Sequence, residues 1–214
     1  AGAETFCDQT ILGVKSESNV VRVKTNKAEF TADKVVLGVG AWARDLIPEL
    51  ADLITVLRKP LHWFQADDAL YSRKSGCPSF LFETEAGHYY GFPSSDCRGL
   101  KVARHSGGEV VSDPLQVDRT LDETEREDVR KFLSVHLPGV SNQPTDHTVC
   151  MYSMTPDSHF VIDRSQADGR IVYAAGLSGH GFKFTAALGE VLADMASEES
   201  PAFDLSLFQR CRFD

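Results

Sequence analysis

The sequence predicts a mixed α/β (α+β) fold, with strand–helix pieces at both ends and an antiparallel sheet inserted between them. Three observations carry this. Near the N-terminus, "KVVLGVGAWARDL" runs from an apolar strand through glycines into a short helix. Near the C-terminus, "GRIVYAAGLSGHGFKFTAALGEVLADMAS" repeats that order with a longer helix. Between them, "PLHWFQ", "SFLFET", "HYYGFPS" and "LKVARHS" read as short strands split by Gly, Pro, Ser and Asp clusters, without a helical pattern among them.

The elements follow in chain order. "TILGVKSESNVVRVKT" is strand, polar turn and strand, and Val21 and Val23 alternate with charges as a half-exposed strand requires. "VVLGVG" is a continuous apolar run, which predicts a strand over residues 35–39 covered on both faces. Gly38 and Gly40 then open a turn into a short helix in "AWARDLIPEL". In the middle region, Lys101, Ala103 and His105 share one strand face, and Leu100, Val102 and Arg104 take the other. At strand rise, Lys101 and His105 stand roughly 13 Å apart, so they can line one cavity without touching. Thr120 and Glu123 fit a capping box, and acids crowd the first turns after it. Val129, Phe132 and Leu133 give that helix one apolar face, and Pro138-Gly139 stop it. "TVCMYSMTPDSHFVID" places Cys150 and Tyr152 on one face of a strand, then a Thr-Pro-Asp turn, then a second apolar strand. Phe184, Ala187, Leu188, Val191, Leu192 and Met195 repeat with helical spacing and predict an amphipathic helix over 184–195.

The 214 residues suffice for a sizeable core and for one large domain or two small ones. The net charge of −9 argues against nucleic acid and anionic membranes as partners. The sequence holds neither a signal-peptide pattern nor an apolar run long enough to span a bilayer. Its five cysteines, Cys7, Cys77, Cys97, Cys150 and Cys211, are widely spaced without a C-x-x-C pair. That pattern predicts reduced thiols rather than a disulfide framework or a metal site, and a cytoplasmic location. The sequence starts without methionine and enters short strands at once, which suggests a piece of a longer chain.

Two stretches carry candidate chemistry. In "GLSGHGFK", residues 176–183, three glycines lie between a buried strand and a strong helix. A helix N-terminus leaves N–H groups unpaired and partly positive, and glycines let an anion or flat ring approach them. Lys183 adds a full positive charge where the dipole disfavours one, which asks for an anionic partner; the plainer alternative is a solvent-exposed lysine. For Lys101 and His105 the plainer alternative is likewise an ordinary surface lysine and a lone histidine. A free cysteine such as Cys150 is usually a small core residue, and spacing alone takes it no further.

Taken together, "ADKVVLGVGAW", "YYGFPS", "GLKVARHS", "CMYSMTPDSHFVID" and "GLSGHGFKF" closely resemble, in this order, the monomeric sarcosine oxidase and N-methyltryptophan oxidase family of flavoenzymes. The resemblance runs from about Gly2 to Phe208. It implies residues 1–56 as part of a Rossmann-like FAD-binding domain, 57–154 as a substrate-binding and catalytic domain, 155–200 as the rest of the FAD domain, and 201–214 as a tail. It implies a thioether from Cys150 to FAD, Lys101 beside the flavin where O2 is reduced, and Lys183 on the substrate carboxylate. It implies Tyr90, Tyr152 and His105 as cavity-lining catalytic residues, and Gly179, His180, Gly181 and Lys183 near the flavin. It implies no metal.

The chemistry implied is oxidation of an N-methyl amino acid at its methyl carbon, giving formaldehyde, the demethylated amino acid and H2O2 from O2. Related flavin oxidases or dehydrogenases of the pipecolate type, and a fragment without cofactor, are the alternatives. The G-x-G-x-x-G unit that opens such enzymes is missing, as are the family's upstream Arg and His. The sequence therefore looks like the C-terminal half or more of such an oxidase. Without an N-terminal FAD-binding segment, the isolated chain is expected to be inactive and to mask apolar surface by self-association.

Overall fold

The structure, a computed structural model, describes residues 2–214. The chain forms two compact units. One holds the residues up to Thr55 together with Ser153–Asp214; the other is Val56–Tyr152.

In the first unit, β1 (Ile11–Ser16), β2 (Val21–Thr25) and β3 (Glu29–Ala32) form an antiparallel three-stranded sheet. A second sheet has the order β11-β12-β4, with β4 (Val35–Leu37) parallel to β12 (Ile171–Ala175) and β11 (Val161–Arg164) antiparallel to it. The IVYAA run of β12 is buried at every position, as a central strand covered on both faces should be. The expectation for 35–39 fails. β4 is three residues long and lies at the sheet edge, and Val36 is 47% exposed. Leu37 is buried on one face while Val36 stands exposed on the other, so an apolar run alone does not establish double-sided burial. The short α1 (Ala43–Leu46) follows a 3-10 turn, as expected.

The last helix, α4 (Thr185–Ala196), starts one residue later than its apolar periodicity suggests. Phe182–Phe184 form a 3-10 turn before it, so Lys183 precedes the α-helix rather than sitting in its first turn. Val191 and Met195 pack against Phe160, Ile162, Val172 and Ala174. Residues 201–214 are more than a tail. Leu205 and Phe208 pack on this same cluster, and the Arg212 guanidinium donates to Asp157. The Arg210 N–H donates to the Asp163 carboxylate at 2.8 Å.

The second unit is built on one sheet of order β10-β5-β8-β7-β6, with β9 also on β5. Its strands are β5 (Thr55–Phe64), β6 (Phe80–Thr84), β7 (Gly87–Phe92), β8 (Leu100–Arg104), β9 (Glu109–Val110) and β10 (Pro144–Met154). One helical turn, α2 (Asp68–Tyr71), interrupts the expected run of strands. The long helix α3 (Glu123–His136) buries Val129, Phe132 and Leu133 as its periodicity requires. Its cap differs from the expected one. Asp122 is the N-cap, and its carboxylate accepts from the N–H groups of Thr124 and Glu125. Thr120 and Glu123 form no capping box, because the chain turns into the helix two residues after Thr120.

The registers sort this sheet into two faces. Trp63 lies opposite Lys101 and His62 opposite Val102. Tyr90 lies opposite Ala103 and Phe92 opposite Lys101. Phe64, Tyr89, Leu100 and Val102 meet α3, where the Tyr89 ring stacks on Phe132 at 4.3 Å. Burying such aromatic and aliphatic side chains contributes about 1.5–3 kcal/mol each. The other face carries Leu61, Trp63 and Ala103, with Tyr90 packed against them.

Candidate active site

The face of the second unit opposite α3 gathers five of the residues singled out in the sequence. Period-two alternation puts Lys101, Ala103 and His105 on the side of Trp63 and Tyr90. The strand β8 ends at Arg104, yet the His105 N–H still donates to His88 O at 2.7 Å, so the residue continues the ladder. Gly91 permits close packing on the other, α3 side, where it lies opposite Val102: a Cβ would lie 2.2 Å from the Phe80 ring.

The Lys101 ammonium is half-buried over two rings, 5.6 Å from the centroid of Trp63 and 5.3 Å from that of Phe92. Burial lowers its pKa, and the charge of Cys150 pulls it back upward. Cys150 is therefore close enough to Lys101 for their charges to matter. It is a free thiol and it is exposed, so it is not the small core residue that a lone cysteine usually is. Two residues along β10, Tyr152 is buried, with its ring 5.4 Å from His105. The Tyr90 ring stands edge-on to His105 at 6.1 Å. Burial raises the pKa of Tyr90 strongly, and its interaction with the Tyr152 hydroxyl adds to that. Burial raises Tyr152 as well. Both phenols stay protonated and neutral near neutral pH.

Sequence reasoning missed three members of this face: Lys59, Trp63 and Phe92. Lys59, Leu61 and Trp63 alternate in "LRKPLHWF" with Arg58 and His62, but Pro60 interrupts the pattern. Only the pairing of β5 with β8 reveals which side they take. A cavity of 380 Å³ that shares Lys59 with this face is lined by Arg58, Lys59, Arg104, Gly108, Glu125 and Asp128. Its arginines are already paired, Arg58 with Glu125 and Arg104 with Asp128. Among the described residues there is no cluster of metal-ligating side chains and no helix long and apolar enough to cross a membrane.

The remaining candidates lie in the first unit. Gly176, Ser178 and Gly179 all adopt positive φ, 59°, 48° and 77°. Gly176 has no room for a side chain, since a Cβ would lie 2.4 Å from Thr155 Cγ2. The Ser178 N–H donates to Ser153 O at 2.9 Å and its hydroxyl to Gly176 O at 3.0 Å, which fixes the turn. The His180 ring turns back onto its own unit, 4.8 Å from Phe160 and within 3.1 Å of Ser158 O. Its side chain is thus held structurally, while its backbone stays in the turn. Gly181 caps the 3-10 turn, and neither this turn nor α4 has a side-chain N-cap. Lys183 is exposed, with its ammonium 5.3 Å from the Phe184 ring, and makes no ion pair among the described residues.

A mixed α/β fold with an uncapped glycine turn at a helix start, and a sheet face of lysine, tyrosines and an accessible thiol, define a class. Residues 1–195 match the FAD dependent oxidoreductase family, designated DAO, and the chain belongs to that family. Among curated relatives, it is 39% identical to a monomeric sarcosine oxidase of Bacillus sp. (strain NS-129) over 89% of this chain and 50% of that protein. It is 35% identical to an N-methyl-L-tryptophan oxidase of Citrobacter koseri over 100% of this chain and 56% of that protein. The chain spans about half the length of the curated relatives it matches. In fold it is similar to NikD, an unusual amino acid oxidase, with a TM-score of 0.76 at 20% identity over 94% of this chain and 54% of that one. It is similar to L-proline dehydrogenase from P. horikoshii, with a TM-score of 0.75 at 23% identity over 96% and 54%.

Each unit, taken by itself, carries groups that fit FAD. An uncapped helix start behind left-handed glycines suits a partly anionic, planar group. In the Val56–Tyr152 unit, an exposed cysteine stands beside a half-buried lysine.

Proposed function

We propose that the chain is the part of a flavin-dependent oxidase that holds the substrate-facing residues, and that the whole protein oxidises an N-methyl amino acid at its methyl carbon. The products are formaldehyde, the demethylated amino acid and H2O2. The single observation that supports this reading best is the sheet face that brings Lys101, Tyr90, His105, Tyr152 and Cys150 together. On this reading Val56–Tyr152 is the substrate-binding unit and the other unit belongs to the FAD-binding domain. Bound FAD would supply the two-electron acceptor that no amino-acid side chain provides.

The chain's own residues have these roles. Tyr90 and Tyr152 keep their phenolic protons and offer ring faces to a substrate amine or ammonium. His105 stands within ring distance of both and completes this aromatic face. Lys101 is a fixed cation in a half-dry setting, so it stabilises the negative charge that forms as O2 is reduced. Lys183, an exposed ammonium without a carboxylate partner among the described residues, takes the substrate carboxylate. Gly179 and Gly181 bring the turn close to the cofactor, His180, whose N–H donates to Leu177 O, holds the turn's shape there, and Cys150 carries the covalent link.

The test is direct. The full-length protein is supplied with sarcosine and with N-methyl-L-tryptophan, and H2O2 and formaldehyde are measured together. Equimolar formation of both supports the reading. H2O2 without formaldehyde would move the oxidation to another carbon, and neither product would remove the reading.

A further inference from the structure

The buried cation of this face is not Lys101 but Lys59. It is 2% exposed, and a lysine ammonium is costly to bury without partners. Its partners are specific. The ammonium donates to His105 O at 2.6 Å and to Gly107 O, and it sits 5.0 Å from the centre of the Tyr152 ring. Lys59 therefore touches both members of the His105–Tyr152 pair, the first through its backbone and the second through its ring.

The turn after β8 is built to make this contact. Gly107 and Gly108 have φ of 65° and 121°, which favour glycine. A Cβ on Gly108 would lie 2.8 Å from Arg58 O, so only glycine lets the turn approach β5 this closely. The His105 main chain is then held at both ends. Its N–H donates to His88 O on β7, and its C=O accepts from Lys59 on β5.

We propose that Lys59 is a positioning residue: its ammonium ties the 105–108 turn to β5 and so fixes the His105 imidazole against Tyr152 and Tyr90. The assignment rests on the oxidase reading only for its effect on turnover. Burial, with Arg104 nearby, brings the Lys59 pKa down to about 8, so the side chain remains largely a cation at neutral pH. It acts through hydrogen bonds and through the ring face.

The test uses the full-length, flavin-loaded protein carrying Lys59→Met. Amide hydrogen exchange is read by mass spectrometry, and rapid anaerobic mixing with sarcosine reads the reductive step. The expected result is exchange about tenfold faster over residues 104–110 and unchanged in the peptides of α3. Anaerobic reduction should slow about tenfold or more, while reoxidation by O2 and acid-stable flavin content stay as in the parent. Exchange and reduction like the parent's would overturn the proposal. So would a rise in exchange across the whole sheet and α3, which would make Lys59 a general stabiliser. If Lys59→Met does not fold, Lys59→Gln, which keeps N–H donors without the charge, decides by the same readings. Failure of both to fold would overturn the positioning role. A parent protein that leaves sarcosine and N-methyl-L-tryptophan untouched would sink the oxidase reading instead, and the local exchange difference would still decide for Lys59.

Discussion

Cys150 shows how far a single residue could be read. By type it belongs in a core; in the structure it stands exposed on β10, within electrostatic reach of Lys101 and Tyr90. Neither fact is legible from spacing, because both depend on which strands neighbour β10. In the full-length protein, Cys150→Ser is expected to fold and to bind flavin that is released on acid precipitation. A hydroxyl is far less ionised than a thiol at neutral pH and a poorer nucleophile. Flavin that stays with the precipitated variant would move the link to another residue. Lys101→Met should slow reoxidation by O2 by about 10²-fold or more, the scale of losing a fixed charge-stabilising group, and slow reduction by substrate much less. Stopped-flow measurement of the two half-reactions separates them, and equal losses would remove the role given to Lys101.

At the level of elements, alternation along β8 is legible in the sequence alone and places Lys101 and His105 on one face. The contributions of β5 and β7 to that face are not. A strand states its own period but not its partner, and Trp63 meets Lys101 only through the antiparallel register. Helix α3 shows a similar limit. Its apolar face is legible, but the capping box expected from Thr120 and Glu123 does not form, and the backbone takes Asp122 as N-cap. Removing that cap by Asp122→Ala should cost about 1 kcal/mol, because two helix N–H groups lose their acceptor. Thr120→Ala should cost less, since its side chain caps nothing in α3. Urea titrations of both variants check the order, and a larger loss from Thr120→Ala would restore the capping box.

Across the whole molecule, the two units differ in how acid acts on them. In Val56–Tyr152, His62 is fully buried on the α3 face, and neither ring nitrogen has a partner among the described residues. Burial brings its pKa from 6.5 down to about 4, and the charges of His147, Arg126 and Arg58 push the same way. The unfolded chain takes up a proton below 6.5 while the fold resists until about 4, so stability falls as pH drops through that window. The loss approaches about 3 kcal/mol at its lower end. In the other unit, Arg212 beside Asp157 and Arg170 beside Asp168 hold those carboxyls well below their usual range. Their contribution is present above the ordinary carboxylate pKa and is lost only as pH falls below it. The first unit should therefore keep its stability where the second loses it. The two tryptophans, Trp42 and Trp63, lie one in each unit, so Trp42→Phe leaves Trp63 as the reporter of the second. In urea titrations followed by its fluorescence, the midpoint should fall steadily between about pH 7 and about pH 4.5. Adding His62→Leu should flatten that dependence, because an apolar side chain at this site has no proton to gain. A midpoint with the same slope in the presence and absence of His62 would place the acid sensitivity elsewhere.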